Sequence, residues 1–213
     1  MRFAVRHPQG VGTAGTAGLA TVAGVVALAV IMLLSGCATD PLAKQYRDGG
    51  NQNYIASDGT VLEITAPNRS TPITFAGTTD SGGTVSSADY LGQVLVVNFW
   101  ASYCAPCRVE APELEGLSNS FQGKGVSFLG VNTADQPATS LAFSRKYGVT
   151  YPSVMDADTA AVRLAFAGKN GQGALPTTLV LDKAGRIAAR ILGQLQSASI
   201  LDSIVKTVLS EDG

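Results

Sequence analysis

The chain has 213 residues, of which 15 are basic and 16 are acidic, and its formal net charge is −1. Since there is no basic excess, nothing in the sequence favours binding to nucleic acid. The single histidine, His7, lies near the N-terminus, so histidine-based catalysis and most zinc sites are excluded for the rest of the chain. A chain of this length can bury one sizeable core and needs no disulfides to hold it together.

The N-terminal segment has the features of an export signal. Arg2 and Arg6 precede an uncharged apolar run over 22–34, which ends in Leu-Ser-Gly-Cys at Cys37. The run is short and rich in glycine and alanine, which favours a signal peptide over a membrane-spanning helix. Because the ending resembles a bacterial lipobox, we expect residues 1–36 to be a lipoprotein signal peptide and Cys37 to be lipidated.

The alternative for this segment is an uncleaved anchor in which Cys37 is incidental. Both interpretations place the rest of the chain at the extracytoplasmic face of the bacterial cell membrane. The segment after the signal, 37–65, is polar and contains several glycine and asparagine residues. That composition is typical of a tether that leads into a domain, so we place the domain at 66–213.

The first half of the domain combines a hairpin, a buried strand and a helix. The predicted elements are strands over 73–76 and 84–86, a turn over 87–91, a strand over 94–100 and a helix over 106–122. The strand over 94–100 is a continuous run of β-branched and aromatic residues, which suits a central strand covered on both faces. Pro106 fits the first turn of a helix, where a missing N–H does no harm.

The second half of the domain alternates strands and helices. The predicted elements are a strand over 126–132, a helix over 137–147, an extended piece over 151–155, a short helix over 159–166, strands over 177–181 and 186–192, and an amphipathic helix over 197–209. This order predicts an α/β fold in which helices flank a mixed central sheet.

Two cysteines, Cys104 and Cys107, lie where the strand over 94–100 meets the following helix. Cysteine reacts as the thiolate, which the unpaired N–H groups and partial positive charge of a helix N-terminus stabilise. The two intervening residues, Ala105 and Pro106, let the second sulfur reach the first. We expect Cys104 to attack a substrate disulfide and Cys107 to resolve the mixed disulfide.

Two other interpretations of the cysteine pair are weaker. A zinc site would need two further ligands, and no additional Cys or His follows Cys37 in the chain. A purely structural disulfide that closes so short a loop would add little stability. The sequence therefore predicts a redox-active disulfide, Cys104–Cys107, with no metal and no other cofactor.

A second motif, Leu175-Pro176-Thr177-Thr178, directly precedes a predicted strand. Proline is tolerated as the first residue of a strand, in either the cis or the trans form, and the residues alone leave the isomer open.

Together the two motifs resemble the TlpA/ResA-like family of membrane-anchored thioredoxin-fold proteins. The resemblance covers about residues 66–211 and rests on Val-Val-Asn-Phe-Trp-Ala-Ser-Tyr-Cys-Ala-Pro-Cys-Arg-Val-Glu-Ala-Pro-Glu-Leu and on Leu-Pro-Thr-Thr-Leu-Val-Leu-Asp-Lys-Ala-Gly-Arg-Ile. It implies a thioredoxin fold with an N-terminal β-hairpin and a central inserted strand–helix element. It also implies that Pro176 is cis and faces the dithiol, where it would exclude metal and help to align a substrate strand against Leu175.

The resemblance also assigns roles to side chains around the dithiol. Family members that reduce apocytochrome c often have an acid at the position of Glu110, where it tunes the thiol pKa values; alternatively, Glu110 is a solvated acid in the first turn of the helix. Cytoplasmic thioredoxins have a buried Asp where this chain has Asn98, and since Asn cannot act as a base, an acid that assists Cys107 should be Glu110. Tyr103 stands where related proteins commonly have a tryptophan, directly before the first cysteine. The residues expected to position the substrate are Trp100, Tyr103, Ala105, Pro106 and Leu175.

The implied function is the reduction of the Cys-x-x-Cys-His disulfide of an apocytochrome c during cytochrome c maturation. An integral membrane electron donor of the CcdA/DsbD type would then re-reduce the dithiol. Two alternatives are a disulfide-forming oxidase for secreted proteins and a non-catalytic thioredoxin-fold lipoprotein that only binds its partners. The direction of electron flow depends on a reduction potential that motifs do not reveal.

Overall fold

A computed structural model describes residues 60–169 and 173–211, together with the backbone of Tyr54 and Ile55. The predicted signal peptide, Cys37 and most of the predicted tether lie outside these residues. None of the helices in the described ranges is both long and apolar enough to cross a membrane.

The described residues form nine strands and four α-helices. The strands are β1 (Tyr54–Ile55), β2 (Val61–Glu63), β3 (Ala76–Thr78), β4 (Thr84–Ser86), β5 (Val94–Trp100), β6 (Val126–Asn132), β7 (Ser153–Met155), β8 (Thr177–Leu181) and β9 (Ile187–Leu192). The helices are α1 (Ala105–Ser120), α2 (Pro137–Tyr147), α3 (Ala161–Ala165) and α4 (Ala198–Ser210), and single 3-10 turns span Ala66–Asn68 and Ser87–Tyr90.

The main sheet is mixed and has the strand order β1-β2-β9-β8-β5-β6-β7. Strand β5 lies near its centre, parallel to β6 and antiparallel to β8. All seven residues of β5 are buried, which confirms that both of its faces are covered. Because side chains alternate along a strand, Val94 and Val96 enter one core while Leu95, Val97 and Phe99 enter the other.

Helices α1 and α4 cover the first face of the sheet, where Leu114 and Leu117 of α1 and Leu201 and Val205 of α4 pack against β5 and β9. The second face is covered by Ile73, Phe75, Val162 and Phe166, the last two in and just after α3. The predicted α/β fold with a mixed sheet between helices is therefore confirmed, including the hairpin β3–β4 and the inserted β7–α3 element.

The first strand of the hairpin differs from its predicted bounds of 73–76, since β3 spans Ala76–Thr78. The turn determines this register, because the Thr79 N–H donates to the Gly83 carbonyl and Gly82 adopts a φ of 88°. Thr78 then pairs with Thr84. Ile73 and Phe75 are buried core residues that precede the strand.

The predicted tether, 37–65, extends too far toward the C-terminus. Strands β1 and β2 fall within it, and β2 pairs antiparallel with β9 in the main sheet, with Leu62 opposite Arg190. Val61 is buried in the same core as α4. The short apolar run at 61–64 therefore belongs to the domain. The polar residues around it hide this in the sequence.

Candidate active site around Cys104 and Cys107

The loop between β5 and α1 brings the two cysteines together at a helix N-terminus. Cys104 is the residue that caps α1, and its Sγ accepts a hydrogen bond from the Cys107 backbone N–H at 3.2 Å. The two residues form a disulfide, with their Cα atoms 5.3 Å apart. Once the disulfide is reduced, the same N–H and the positive end of the helix dipole would stabilise a thiolate on Cys104.

The two cysteines differ in accessibility. Cys104 retains 7% of its exposure and Cys107 only 2%. Cys104 is therefore the more accessible residue of the pair, and Cys107 is the more deeply buried. This placement favours the predicted order, in which Cys104 attacks and Cys107 resolves, and that order stays a prediction.

The loop before Cys104 is anchored by Asp135, which the sequence does not reveal as a site residue. Its carboxylate accepts hydrogen bonds from Ser102 N (2.7 Å), Ser102 Oγ (2.6 Å) and Asn132 Nδ2 (2.8 Å). The hydrogen bonds lower the pKa of Asp135 against the opposing effect of burial. In the turn Asn132–Asp135 at the end of β6, Asn132 Oδ1 accepts a hydrogen bond from Asp135 N. An Asn that begins such a turn is the one local feature of the sequence that could have pointed to Asp135.

The sequence predicts that Trp100 positions the substrate. The structure does not place it on the surface for that role, because the residue is buried and only 5% exposed. Its Nε1 donates to Ser153 Oγ at 3.1 Å, and its ring lies 4.2 Å from that of Phe143. Gly130 makes room for this contact, since a Cβ there would come within 2.9 Å of Trp100 Nε1 and 2.2 Å of Ser153 Oγ. Trp100 therefore supports the cysteine loop from behind.

The other residues expected to position a substrate form the rim around Cys104. Tyr103 is 67% exposed, Ala105 is exposed, and Pro106 and Leu175 are half-buried. Leu175 packs against the cluster that contains both cysteines. Val109, which the sequence does not single out, is 57% exposed on the first turns of α1. The rim is thus largely apolar.

The Leu175–Pro176 peptide bond is cis, as the family resemblance implies. Pro176 is buried, and its carbonyl accepts a hydrogen bond from Gly193 N at 2.9 Å. Among the residues that the structure describes, no group of three His, Cys, Asp or Glu side chains could hold a metal ion.

The carboxyl group of Glu110 is buried inside the domain, with only 1% of the residue exposed. Oε1 accepts a hydrogen bond from Asn98 Nδ2 at 2.8 Å, and Oε2 accepts one from Leu195 N at 3.1 Å. Of the two interpretations that the sequence allows, the solvated surface acid is therefore wrong.

Burial raises the pKa of Glu110 to about 7, even though the hydrogen bonds from Leu195 and Asn98 lower it. Glu113 adds a further small increase through charge repulsion. At neutral pH the carboxyl group is therefore divided between its protonated and ionised forms. Because Glu110 follows Cys107 by three residues on α1, their side chains lie on the same face of the helix, one turn apart. A group with this pKa can accept the proton of a buried thiol and return it.

The raised pKa of Glu110 makes folding stability depend on pH. The folded state keeps this proton from about pH 4.5 to about pH 7, where the unfolded state has lost it, so stability is present below that range and falls as the pH rises through it. We therefore expect the difference in free energy of unfolding, Glu110→Gln minus wild type, to increase by about 3 kcal/mol as the pH rises from about 4 to about 8. Urea denaturation of the oxidised proteins at a series of pH values measures this difference.

The control for this experiment is Asp158→Asn, which removes an exposed carboxylate that does not act on the pKa of Glu110. Its pH dependence should follow that of the wild type. If the stabilities of Glu110→Gln and the wild type run parallel across this pH range, the raised pKa of Glu110 is refuted.

Comparison with known proteins identifies related sequences. A model of the AhpC/TSA family matches residues 66–190. The chain is 38% identical over 113 residues to the thiol:disulfide interchange protein HelX of Rhodobacter capsulatus, a match that covers 53% of this chain and 60% of HelX. It is 32% identical over 112 residues to the thiol-disulfide oxidoreductase ResA of Geobacillus thermodenitrificans, which covers 53% of this chain and 62% of that protein. The chain thus spans about three fifths of the length of these relatives.

The similarity to solved structures covers a larger share of the chain. A thiol:disulfide interchange protein of the thioredoxin family from Chlorobium tepidum has a TM-score of 0.61 and 30% identity, over 67% of this chain and 97% of its own. A secreted thiol-disulfide isomerase from Corynebacterium glutamicum has a TM-score of 0.63 and 28% identity, over 76% of this chain and 100% of its own. The resemblance to TlpA/ResA-like proteins is confirmed. The chain belongs to the AhpC/TSA family and has the thioredoxin fold that the sequence predicts.

Proposed function

We propose that this protein is a thiol–disulfide oxidoreductase that reduces apocytochrome c disulfides at the extracytoplasmic face of the cell membrane. The observation that carries the proposal is the combination of a disulfide at a helix N-terminus with a buried carboxyl group of pKa about 7 one turn further along the same helix. The names of HelX and ResA support the chemistry. The family resemblance, together with the acid at Glu110, supports the substrate.

The reaction begins with the reduced dithiol. The Cys104 thiolate attacks one sulfur of the substrate disulfide, which forms a Cys104–substrate bond and releases the other substrate sulfur as a thiolate that takes up a proton. Glu110 then accepts the proton of Cys107, whose thiol is buried and costly to ionise without an acceptor. The Cys107 thiolate attacks Cys104 Sγ, which forms the Cys104–Cys107 disulfide and releases the first substrate sulfur as a thiolate that takes up the proton from Glu110, so that two electrons and two protons have passed to the substrate.

The cycle requires a donor of two electrons, because the reaction leaves Cys104 and Cys107 as the disulfide that the structure shows. An integral membrane protein of the CcdA/DsbD type, which draws electrons from cytoplasmic thioredoxin, would fit this step. It would approach the same sulfur as the substrate, since Cys104 is the more exposed of the pair.

The trapping of a mixed disulfide tests this mechanism. We expect reduced Cys107→Ser to form a stable adduct with an oxidised peptide that contains Cys-x-x-Cys-His, because attack by Cys104 proceeds and resolution does not. Cys104→Ser should form less adduct by about tenfold or more, since its remaining thiol is on the more deeply buried residue of the pair. Intact mass spectrometry under non-reducing conditions measures the adduct. Equal trapping by the two variants would overturn the assignment of Cys104 as the attacking thiol.

We also propose that the protein is held at the membrane by acyl chains on Cys37. The lipobox-like ending at 34–37 supports this, and each methylene that enters the bilayer adds about 0.8 kcal/mol of affinity. In bacteria fed a labelled fatty acid, the wild type and Cys104→Ala should acquire the label and Cys37→Ala should not. Labelling of Cys37→Ala equal to that of the wild type would contradict the anchor.

A further inference from the structure

Thr178 on β8 and Asn98 on β5 lie directly opposite each other in the antiparallel pair, so their side chains project from the same face of the sheet. Both are buried, with exposures of 0% and 5%. Asn98 Nδ2 donates to Thr178 Oγ1 at 3.1 Å and to Glu110 Oε1 at 2.8 Å. A side-chain amide has two N–H donors, and both are therefore in use.

We propose that Thr178 is a positioning residue for Glu110: its hydroxyl oxygen holds the Asn98 amide so that one N–H points at Glu110 Oε1. The proposal rests on the proposed role of Glu110 as the proton partner of Cys107. It extends that role by identifying the residue through which the sheet sets the proton affinity of the carboxyl group.

The chemistry of an amide explains why a second contact is needed. An Asn side chain presents an NH2 group on one side and a carbonyl oxygen on the other, and only the NH2 group can bind an ionised carboxylate. Without the Thr178 oxygen, one N–H of Asn98 would be buried without an acceptor, so the amide would turn to find one. That rotation would weaken or break its hydrogen bond to Glu110.

The second oxygen of Glu110 is tied to the same strand by another route. Oε2 accepts from Leu195 N, and two residues earlier in that loop Gly193 N donates to the carbonyl of Pro176. Pro176 directly precedes β8, which contains Thr178. Oε1 is thus linked to Thr178 through the side chain of Asn98, and Oε2 is linked to Pro176 through the loop that contains Gly193 and Leu195.

The charged and titratable groups around Glu110 come from two elements. Helix α1 contributes Cys107 and Glu113, and the loop before β7 contributes Tyr151, whose pKa burial raises so that the phenol stays neutral at pH 7. Strands β5 and β8 and the loop after β9 contribute only the uncharged Asn98 and Thr178 side chains and the Leu195 N–H. A change at Thr178 therefore acts on Glu110 through hydrogen bonding alone.

The test is the pKa of Glu110 in Thr178→Val, which keeps the shape of the side chain and removes the hydroxyl group. Carboxyl ¹³C NMR of glutamate-labelled protein follows the titration, and Glu110→Gln identifies the signal. The disulfide form is used so that neither cysteine titrates. Because the ionised form loses a hydrogen bond, we expect the pKa of Glu110 to rise by about one unit in Thr178→Val. Thr178→Ser, which retains the hydroxyl group, should restore the wild-type value.

Thr177→Val is the matched control. Thr177 is the neighbouring residue on β8 and is also fully buried, but its hydroxyl donates to the carbonyl of Ala174 at 2.8 Å, away from Asn98. Its loss should lower stability and leave the pKa of Glu110 unchanged. An unchanged pKa in Thr178→Val would overturn the proposal, and so would an equal shift in Thr177→Val or a failure of Thr178→Ser to restore the value.

The wild-type protein provides a second test that does not require Thr178→Val to fold. Both side-chain amide protons of Asn98 should exchange slowly with solvent, and their chemical shifts should follow the Glu110 titration. Rapid exchange, or shifts that do not change through that titration, would refute the arrangement. These measurements do not depend on turnover. Slow disulfide exchange by Glu110→Gln tests the proposed function separately, so the two can fail independently.

Discussion

The buried carboxyl group of Glu110 is the constraint on which the site depends. Burial alone would keep it protonated, and hydrogen bonds from Asn98 Nδ2 and Leu195 N favour the ionised form, so that the balance places its pKa at about 7. Each donor belongs to a different element, namely β5 and the loop after β9. The packing of β5, α1 and that loop is therefore also what sets a proton affinity suited to thiol chemistry at neutral pH.

The two sulfur atoms then have separate physical requirements. In the proposed reaction Cys104 attacks as a thiolate, and the start of α1 would stabilise that charge, since Cys107 N already donates to its Sγ in the disulfide form. Cys107 is 2% exposed, so its ionisation needs a proton acceptor nearby rather than a charge at the surface. Asn98, where a cytoplasmic thioredoxin has an acid, donates to Glu110, and the proposed mechanism therefore assigns the acid function to Glu110 on α1.

The sequence predicts the elements of the central sheet well and the contacts between distant residues poorly. Strands β5, β6 and β8 have the predicted bounds because each is a predominantly apolar run, whereas a turn hydrogen bond shifts the three-residue strand β3. The cysteines and Glu110 follow from local motifs. Asp135 and Thr178 do not, since their partners Ser102 and Asn98 are 33 and 80 residues away in the chain. Trp100 is misassigned because its place in a motif does not show which way its ring points.

The central claim is that this dithiol donates electrons to its substrate, and the midpoint reduction potential of the Cys104–Cys107 couple tests it most directly. Equilibration with glutathione or dithiothreitol buffers at pH 7, followed by thiol alkylation and mass spectrometry, yields the value. The account predicts a potential closer to the about −270 mV of thioredoxin than to the about −120 mV of the strong oxidase DsbA. A potential near about −120 mV would contradict it and would make the protein a disulfide-forming oxidase.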